Sequence, residues 1–502
     1  MTQLLEVYHE FCKALDDGKE IRTVFFDISK AFDRVWHRGL LAKLKSAGVK
    51  GKLLQWFTEY LKDRRQRVII PGASSDWSYI KAGVPQGSIL GPLLFLVYIN
   101  DIVSNIQSNI RLFADDTSLY IIVEHINSAA LTLNKDIETI TSWSKKWLVT
   151  FNPSKTESLT VSRKRNKPVH PSLKMLDEEI SEKESHKHLG VILSNDGSWH
   201  LHIEHIKSKA WKRINLMRKL KFILNRDCLE TIYFSFIRPI LEYADVIWDN
   251  CTKDEKEELD KIQHEAARIV TGATKLVSIE NLYKETGWQT LETRRKHHKL
   301  ILFYKMLHDM TPPYLSSLIP QPVGATTRYN LRNSGNLQTP LCRSKLYKES
   351  FIPSFIHLWN SLPQETRDSP TLAAFKHSLQ NSSVTKPPPF YRIGQRDAQI
   401  HHTRLRTNCS ALNLTLFQKN VVESPLCHCG ELESTDHYFF ICQTYNDQRQ
   451  QLLNTVNPIC NATSILLLFG DSSLTLDQNI IIFDAVQKYI LATKRFRTQK
   501  TY

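Results

Sequence analysis

The segment Leu112–Tyr120, LFADDTSLY, sets two adjacent carboxylates, Asp115 and Asp116, between short β-prone runs, and 88 residues earlier Asp27 ends another such run, Thr23–Ile28, TVFFDI. Branched and aromatic residues flanking a polar turn predict a hairpin, Arg111–Phe113 and Ser118–Val123 about an Ala-Asp-Asp turn. Adjacent acids repel, so the pair is costly unless cations are held there. Three convergent carboxylates supply the oxygen ligands that two Mg²⁺ ions need for in-line attack on a phosphate. Taken alone, an Asp-Asp turn is equally a solvated surface turn, because Asp is common in turns. Between the acids lies Ala82–Leu94, AGVPQGSILGPLL. Its glycines let the backbone approach a flat ligand, and Gln86 offers an amide to a base or sugar edge, although an ordinary Gly/Pro loop has the same composition. The order carries the information: Asp-bearing strand, Gly/Pro loop and helix, Asp-Asp hairpin.

The rest of the chain bounds the context. At 502 residues, 41% hydrophobic and 23% charged, it is neither largely disordered nor one small module, and its length suggests about three domains. A net charge of +15 suits a polyanionic partner. Nine cysteines, odd in number and unevenly placed, do not form a disulfide framework and point to a reducing compartment. No run approaches the ~18 apolar residues of a membrane span, and the acidic N-terminus is unlike a secretory signal. The expectation is an intracellular, soluble chain with no membrane partner. The basic runs Arg163–Lys167 and Lys494–Arg497 add the nucleus to the cytoplasm as a destination.

Periodicity predicts a helix from Lys30 that stops at Gly48, a hairpin of Val68–Ile70 and Tyr79–Ile80 around Pro71-Gly72, and a buried helix Leu93–Ile102. Together with the Asp-bearing strands this is one sheet backed by helices. From about residue 200 the pattern is helical. Apolar residues from Ile203 to Leu224 recur at spacings of three and four beside Lys209, Lys212 and Lys219, and further helices are expected near Glu255–Thr271 and Leu291–His308. Thr311–Pro340 reads as loop and Lys386–Phe390, KPPPF, as a linker.

Phe25–His37 (FFDISKAFDRVWH), Ala82–Phe95 and Phe113–Asp116 (FADD), in that order, resemble the palm of reverse transcriptases, most nearly those of non-LTR (LINE-like, jockey-type) retrotransposons. The resemblance implies an α+β fold: a palm with an antiparallel sheet backed by helices and partial fingers over 1–200, a helical thumb over 201–275, a connecting region over 276–385 and a C-terminal region over 386–502. It implies RNA-directed DNA polymerase activity on an RNA template, a DNA primer or target and dNTP, with two Mg²⁺ ions at Asp27, Asp115 and Asp116. Ile28 would contribute its backbone carbonyl, Phe32 would crowd a ribose 2′-hydroxyl, and Pro85, Gln86 and Gly87 would line the nucleotide and template. Asn152–Glu157, NPSKTE, is similar to the next motif, whose lysine, here Lys155, protonates the leaving pyrophosphate; a solvated turn lysine has the same appearance. His188–Leu193, HLGVIL, resembles the strand that grips the primer end, at Leu189 and Gly190. Asp196-Gly197-Ser198 reads as a turn, and no ribonuclease H activity is expected.

Cys427-x-Cys429-x7-His437-x4-Cys442 gathers three soft thiolates and one imidazole, the donor set of a tetrahedral Zn²⁺ site, with a first spacing tighter than usual and His428 as a rival ligand. The segment resembles the Cys/His cluster beyond the polymerase of many LINE-like proteins, which implies a zinc knuckle that binds nucleic acid. Few residues precede Asp27, and the family's upstream fingers and nicking endonuclease have no counterpart here. The expectation is therefore a fragment of a longer element protein, either a polymerase with weak processivity or a catalytically inactive remnant that only binds nucleic acid.

Overall fold

The structure, a computed structural model, describes residues 1–326, 334–380 and 386–496. These fall into two compact units: Met1–His202 with Thr311–Ile356, and the described residues of 203–310 and 357–502. Residues 276–385, expected as one connecting region, are divided between the two.

The first unit runs α1 (Thr2–Asp16), β1 (Glu20–Phe26), α2 (His37–Ser46), α3 (Gly51–Leu61), α4 (Leu90–Ile99), β2 (Asn109–Phe113), β3 (Asp116–Val123), α5 (Ile126–Trp147), β4 (Glu157–Val161), β5 (Ser181–Glu182), β6 (Ser185–His188) and β7 (Val191–Ser194), with minor pieces between. Strands β5-β4-β1-β3-β2 form one sheet, and β6 pairs β7 separately. The sheet is antiparallel except at one edge, where the two-residue β5 joins β4 in parallel, a pairing absent from the sequence expectation.

All seven residues of β1 are buried, as a central strand covered on both faces requires. Side chains alternate with period two. Val24, Phe26 and Ile28 enter a core with Leu40, Leu94 and Ile137, which come from α2, α4 and α5. The other face meets α1, where Phe11 packs edge-on against Tyr120 at 5.4 Å, and the β6–β7 hairpin, where His186 stacks on Phe25 at 3.8 Å.

Several local expectations are corrected. The helix expected from Lys30 begins at His37, because Lys30 has φ +50° and a turn closed by Asp33 N–H to the Lys30 carbonyl intervenes. Ile69–Ile70 pairs with Ala73–Ser74, while Tyr79 pairs with Arg65, so the expected single hairpin is two nested ladders. The helix α4 is not wholly buried: Leu93 and Leu96 are exposed while Leu94, Phe95 and Tyr98 face the core.

The described elements of the second unit are helical, among them Arg226–Ile232, Lys253–Thr271, Ile279–Thr286, Leu291–Leu307, Arg396–Arg406 and Leu476–Ala492. The helix Lys253–Thr271 opens with a reciprocal capping box, Thr252 with Glu255, which satisfies two otherwise orphaned donors. KPPPF is not a free linker: Phe390 is buried and packs on Phe483 at 4.6 Å. Thr311–Pro340 holds the short helices Pro313–Ser316 and Val323–Thr326, and its residues 327–333 lie outside the described residues. Among the described residues no helix is long and apolar enough to cross a membrane.

Candidate active site and metal cluster

Strands β1 and β3 run antiparallel in a register that pairs Phe26 with Thr117 and Phe25 with Ser118. One further step of that register sets Asp27 opposite Asp116, on the face that carries Phe25 and His186. The β2–β3 hairpin closes on the pair Phe113 and Asp116, so its turn is the two residues Ala114-Asp115, not three. Ala114 has φ +52°, a left-handed conformation that costs a residue with a Cβ roughly 1–2 kcal/mol. Strain of this kind persists where surrounding pairs over-determine it, and here it holds Asp115 at the hairpin tip. On the other side of Asp27 the chain is pinned by Asn152 N–H to the Asp27 carbonyl at 2.9 Å and Ser29 N–H to the Thr150 carbonyl at 2.8 Å, and Ile28 bridges Phe151.

The three carboxylates interact. The Asp116 carboxyl is raised above its ordinary range, first by desolvation, then by the charge of Asp115, with a smaller contribution from Asp27 and opposition from His186. Among the described residues, however, the only set of three or more His, Cys, Asp or Glu side chains close enough to hold one ion is the cysteine cluster. The aspartates are electrostatic neighbours that do not form a closed single-ion cage.

The other expected residues flank this edge. Phe32 is half-buried and stacks on Phe95 at 4.8 Å, while its carbonyl accepts from Val84 N–H at 2.8 Å. His37 Nε2 lies 2.7 Å from the Gly83 carbonyl. Gly83 has φ +95°, and a Cβ there would stand 2.7 Å from the Asp33 carbonyl oxygen, so only glycine lets the loop approach this closely. Exposed Gln86 donates to Asp33 Oδ1 at 3.1 Å, tying the loop that holds Pro85 and Gly87 to the segment after Asp27. Lys155 is exposed in a short 3₁₀ turn, Pro153–Lys155, and makes no ion pair among the described residues. Leu189 and Gly190 form the β6–β7 turn with φ +47° and +84°, the pairing of two left-handed residues that matches strand twist in a tight hairpin. Asp196 accepts from Ser198 N–H at 2.8 Å, as a turn.

Two features escaped the sequence reading. His186, on the aspartate face, has its Nδ1 2.7 Å from Glu157 Oε2. Its neighbour His188 is buried, which drops its imidazole to about 4, with the His186 charge adding to the effect. In the nested ladders, the Arg67 guanidinium lies 4.7 Å over Trp77, Arg65 lies 5.8 Å over Tyr79, and both rings are more than half exposed. Three arginines within four residues, facing two aromatics across a turn, was the available signal.

In the second unit Cys427, Cys429, His437 and Cys442 bring their ligand atoms within 4.8 Å of one another, and His428 is outside the set. The Cys427 and Cys442 sulfurs are 3.7 Å apart, close to the ~3.8 Å spacing of two thiolates on a tetrahedral zinc with ~2.3 Å bonds. Cys429 Sγ is 3.2 Å from His437 Nε2. Burial pushes the Cys427 thiol up to about 11. Burial also opposes ionisation of Cys442, but hydrogen bonds from Thr444 and the neighbouring thiols hold it below the ordinary thiol range. The Cys442 carbonyl accepts from Arg449, which also donates to the Phe439 carbonyl at 2.9 Å, so the last ligand is fixed to the helix Asn446–Val456.

Residues 3–193 match the family model of reverse transcriptase (RNA-dependent DNA polymerase). The chain is 29% identical over 315 residues to the probable RNA-directed DNA polymerase from transposon BS of Drosophila melanogaster, covering 59% of this chain and 34% of that protein. It is 28% identical over 313 residues to the RNA-directed DNA polymerase from mobile element jockey of Drosophila funebris, again covering 59% and 34%. The chain thus spans about a third of the length of the curated relatives it matches. A solved structure of telomerase from Candida albicans with the TWJ fragment of telomeric RNA overlaps 75% of this chain and 52% of that one at 12% identity and a TM-score of 0.25, too low to bear on the fold. Residues 3–193 thus match the reverse transcriptase family, and the relatives that the chain resembles are RNA-directed DNA polymerases of mobile elements.

Proposed function

We propose that the edge formed by β1 and the β2–β3 hairpin is the nucleotidyl-transfer site of an RNA-directed DNA polymerase. The observation that carries this is the register, which sets Asp27 opposite Asp116 with Asp115 at the adjoining turn. In the reaction the primer 3′-oxygen bonds to the α-phosphorus of a dNTP, the α–β bridging P–O bond breaks, and pyrophosphate leaves. The donor set is all oxygen, which fits a hard cation, and the raised Asp116 marks an uncompensated cluster of negative charge. Asp27, Asp115 and Asp116 would hold Mg²⁺. When bound, it supplies positive charge for the attacking and leaving oxygens. Phe32, fixed against Phe95, would bound the sugar and exclude a 2′-hydroxyl; the Pro85–Gly87 loop would support the base pair, and the Leu189-Gly190 turn the primer end. Lys155, being exposed, is free to meet pyrophosphate and supply a proton. The arginine-aromatic ladders offer a stacking platform to a single-stranded template. In the second unit, Cys427, Cys429, His437 and Cys442 would hold a structural Zn²⁺.

RNA-templated primer extension by the full chain and by Asp115→Asn tests the reading. Extension by the chain and none by the variant supports it. Equal extension by both overturns it. Salt-dependent RNA binding with no extension by either favours a binding remnant.

A further inference from the structure

The second unit contains a cavity of about 500 Å³ that the polymerase reading leaves unused, lined by residues that include Phe234, Arg238, Gln263, Trp288, Arg294 and Lys386. Its size is within the range of small-ligand sites. Its wall is built on an irregularity: between the helices Arg226–Ile232 and Arg238–Glu242 the chain widens into a π turn, Tyr233–Ile237. Such turns recur at functional sites because they re-aim side chains. Here the turn buries Tyr233, which stacks on Trp288 at 4.2 Å, and leaves Phe234 half-buried beside them. Gln263 forms a satisfied floor, accepting from the Tyr233 hydroxyl and donating to the Tyr283 hydroxyl at 3.0 Å and the Gln289 carbonyl at 2.9 Å.

The charges around this floor do not balance. Arg294 takes both oxygens of Glu242 as a fork. Arg238 reaches the same carboxylate only at 3.8 Å, rests its guanidinium 4.3 Å from the Phe234 ring, and makes no hydrogen bond among the described residues. Exposed Lys386 adds a third cation at the rim. Two arginines thus share one carboxylate, while Lys386 makes no ion pair among the described residues. Arg238 is a partly exposed guanidinium with donors left over for a ligand, and a phosphate is the anion its planar fork fits best. Burial and the adjacent Arg294 charge both push Arg238 below its ordinary value, against the opposing charge of Glu242.

We propose that this cavity is a second nucleotide-binding site, taking a phosphate-bearing nucleotide with its phosphate against Arg238 and Lys386 and its base or sugar against Phe234. The chemistry is shared by a free nucleotide and by one residue of a single strand. The site does not rest on the polymerase reading, so Asp115→Asn leaves it unchanged.

Photo-cross-linking of the full chain in buffer free of added Mg²⁺ and of chelator, with 8-azidoadenosine triphosphate in one arm and a short 4-thiouridine oligoribonucleotide in the other, followed by peptide mapping, tests this. Cross-links within 233–238 or 288–294 are expected. Attachment by both probes supports a free-nucleotide site, and attachment by the oligonucleotide alone supports a strand site. Arg238→Ala lowers the yield there at least about tenfold, Arg238→Lys restores part of it, and the log-log salt slope of binding falls by about one. Should Arg238→Ala fail to fold, Arg238→Gln keeps the side-chain length without the charge and is read in the same way. Absence of cross-links in both segments with both probes, or an unchanged yield in the folded neutral variant, overturns the proposal.

Discussion

Asp116, at the end of the sheet in the first unit, and Glu285, among the helices of the second, are acids whose surroundings act on them in opposite directions. Asp116 is raised, first by desolvation and then by Asp115. For Glu285 burial also raises the carboxyl, but the charges of Arg406 and Arg226 outweigh it and hold it at about 2. Its oxygens accept from Arg226 at 3.0 Å, Arg406 at 2.8 Å and Thr403 at 3.1 Å. One acid has every partner it needs within the fold, and the other has only like charges and a histidine nearby. Where a fold leaves charge uncompensated, a ligand is the natural completion, whereas a compensated buried charge serves structure.

The largest expected difference is in activity. Asp115→Asn should lower extension roughly a thousandfold, since several kcal/mol of transition-state charge stabilisation depend on the ligand, while melting temperature holds or rises as like-charge repulsion is relieved. A variant that melts lower would place Asp115 among structural acids, alongside Glu285.

Glu285→Gln should do the reverse and destabilise the chain by roughly 3–5 kcal/mol, because it leaves buried guanidiniums uncompensated; urea melts check this. The signs with pH also differ. Glu285 has a folded value below its unfolded one, so its contribution is present above the unfolded value and is lost as pH falls toward about 2. Asp116 has a folded value above its unfolded one, so its contribution is present at low pH and is lost as pH rises through the folded value. Urea melts between about pH 5 and pH 3 should therefore show a loss in the native chain that Glu285→Gln lacks.

The cysteine cluster lies between these cases, a site whose ligands already converge. Cys442→Ser should abolish stoichiometric zinc by elemental analysis and remove about 2.7 kcal/mol of stability when free zinc stands a hundredfold above its dissociation constant, leaving primer extension unchanged. The smallest effect is expected at the strained turn. Ala114→Gly should raise stability by about 1 kcal/mol or less, as left-handed strain is relieved and unfolded-state entropy offsets part of the gain; thermal melts will show the sign.

The aspartate edge was legible in the sequence because its residues lie at strand ends and in the turn between them, where period two and a two-residue turn translate position into space. Phe25 to Asp27 and Phe113 to Asp116 needed little more than alternation. Elsewhere local signals were overridden or absent. Lys30 looked helical, yet a left-handed backbone delays the helix to His37. The strand Ser181–Glu182 is too short to have a period. Arg406 reaches Glu285 across 121 residues of sequence, and no spacing rule anticipates such a pair. The cysteine cluster was found by composition, but the exclusion of His428 came only with the geometry of the Cys427–Gly430 turn.

On the proposed reading the aspartate edge is a cation site. Titration of Mn²⁺ into the full chain and into Asp115→Asn, followed by the loss of the free-ion electron paramagnetic resonance signal, tests it directly. Saturable binding is expected in the native chain, competed by Mg²⁺, with at least about tenfold weaker binding in the variant. Superimposable titrations of the two would contradict it.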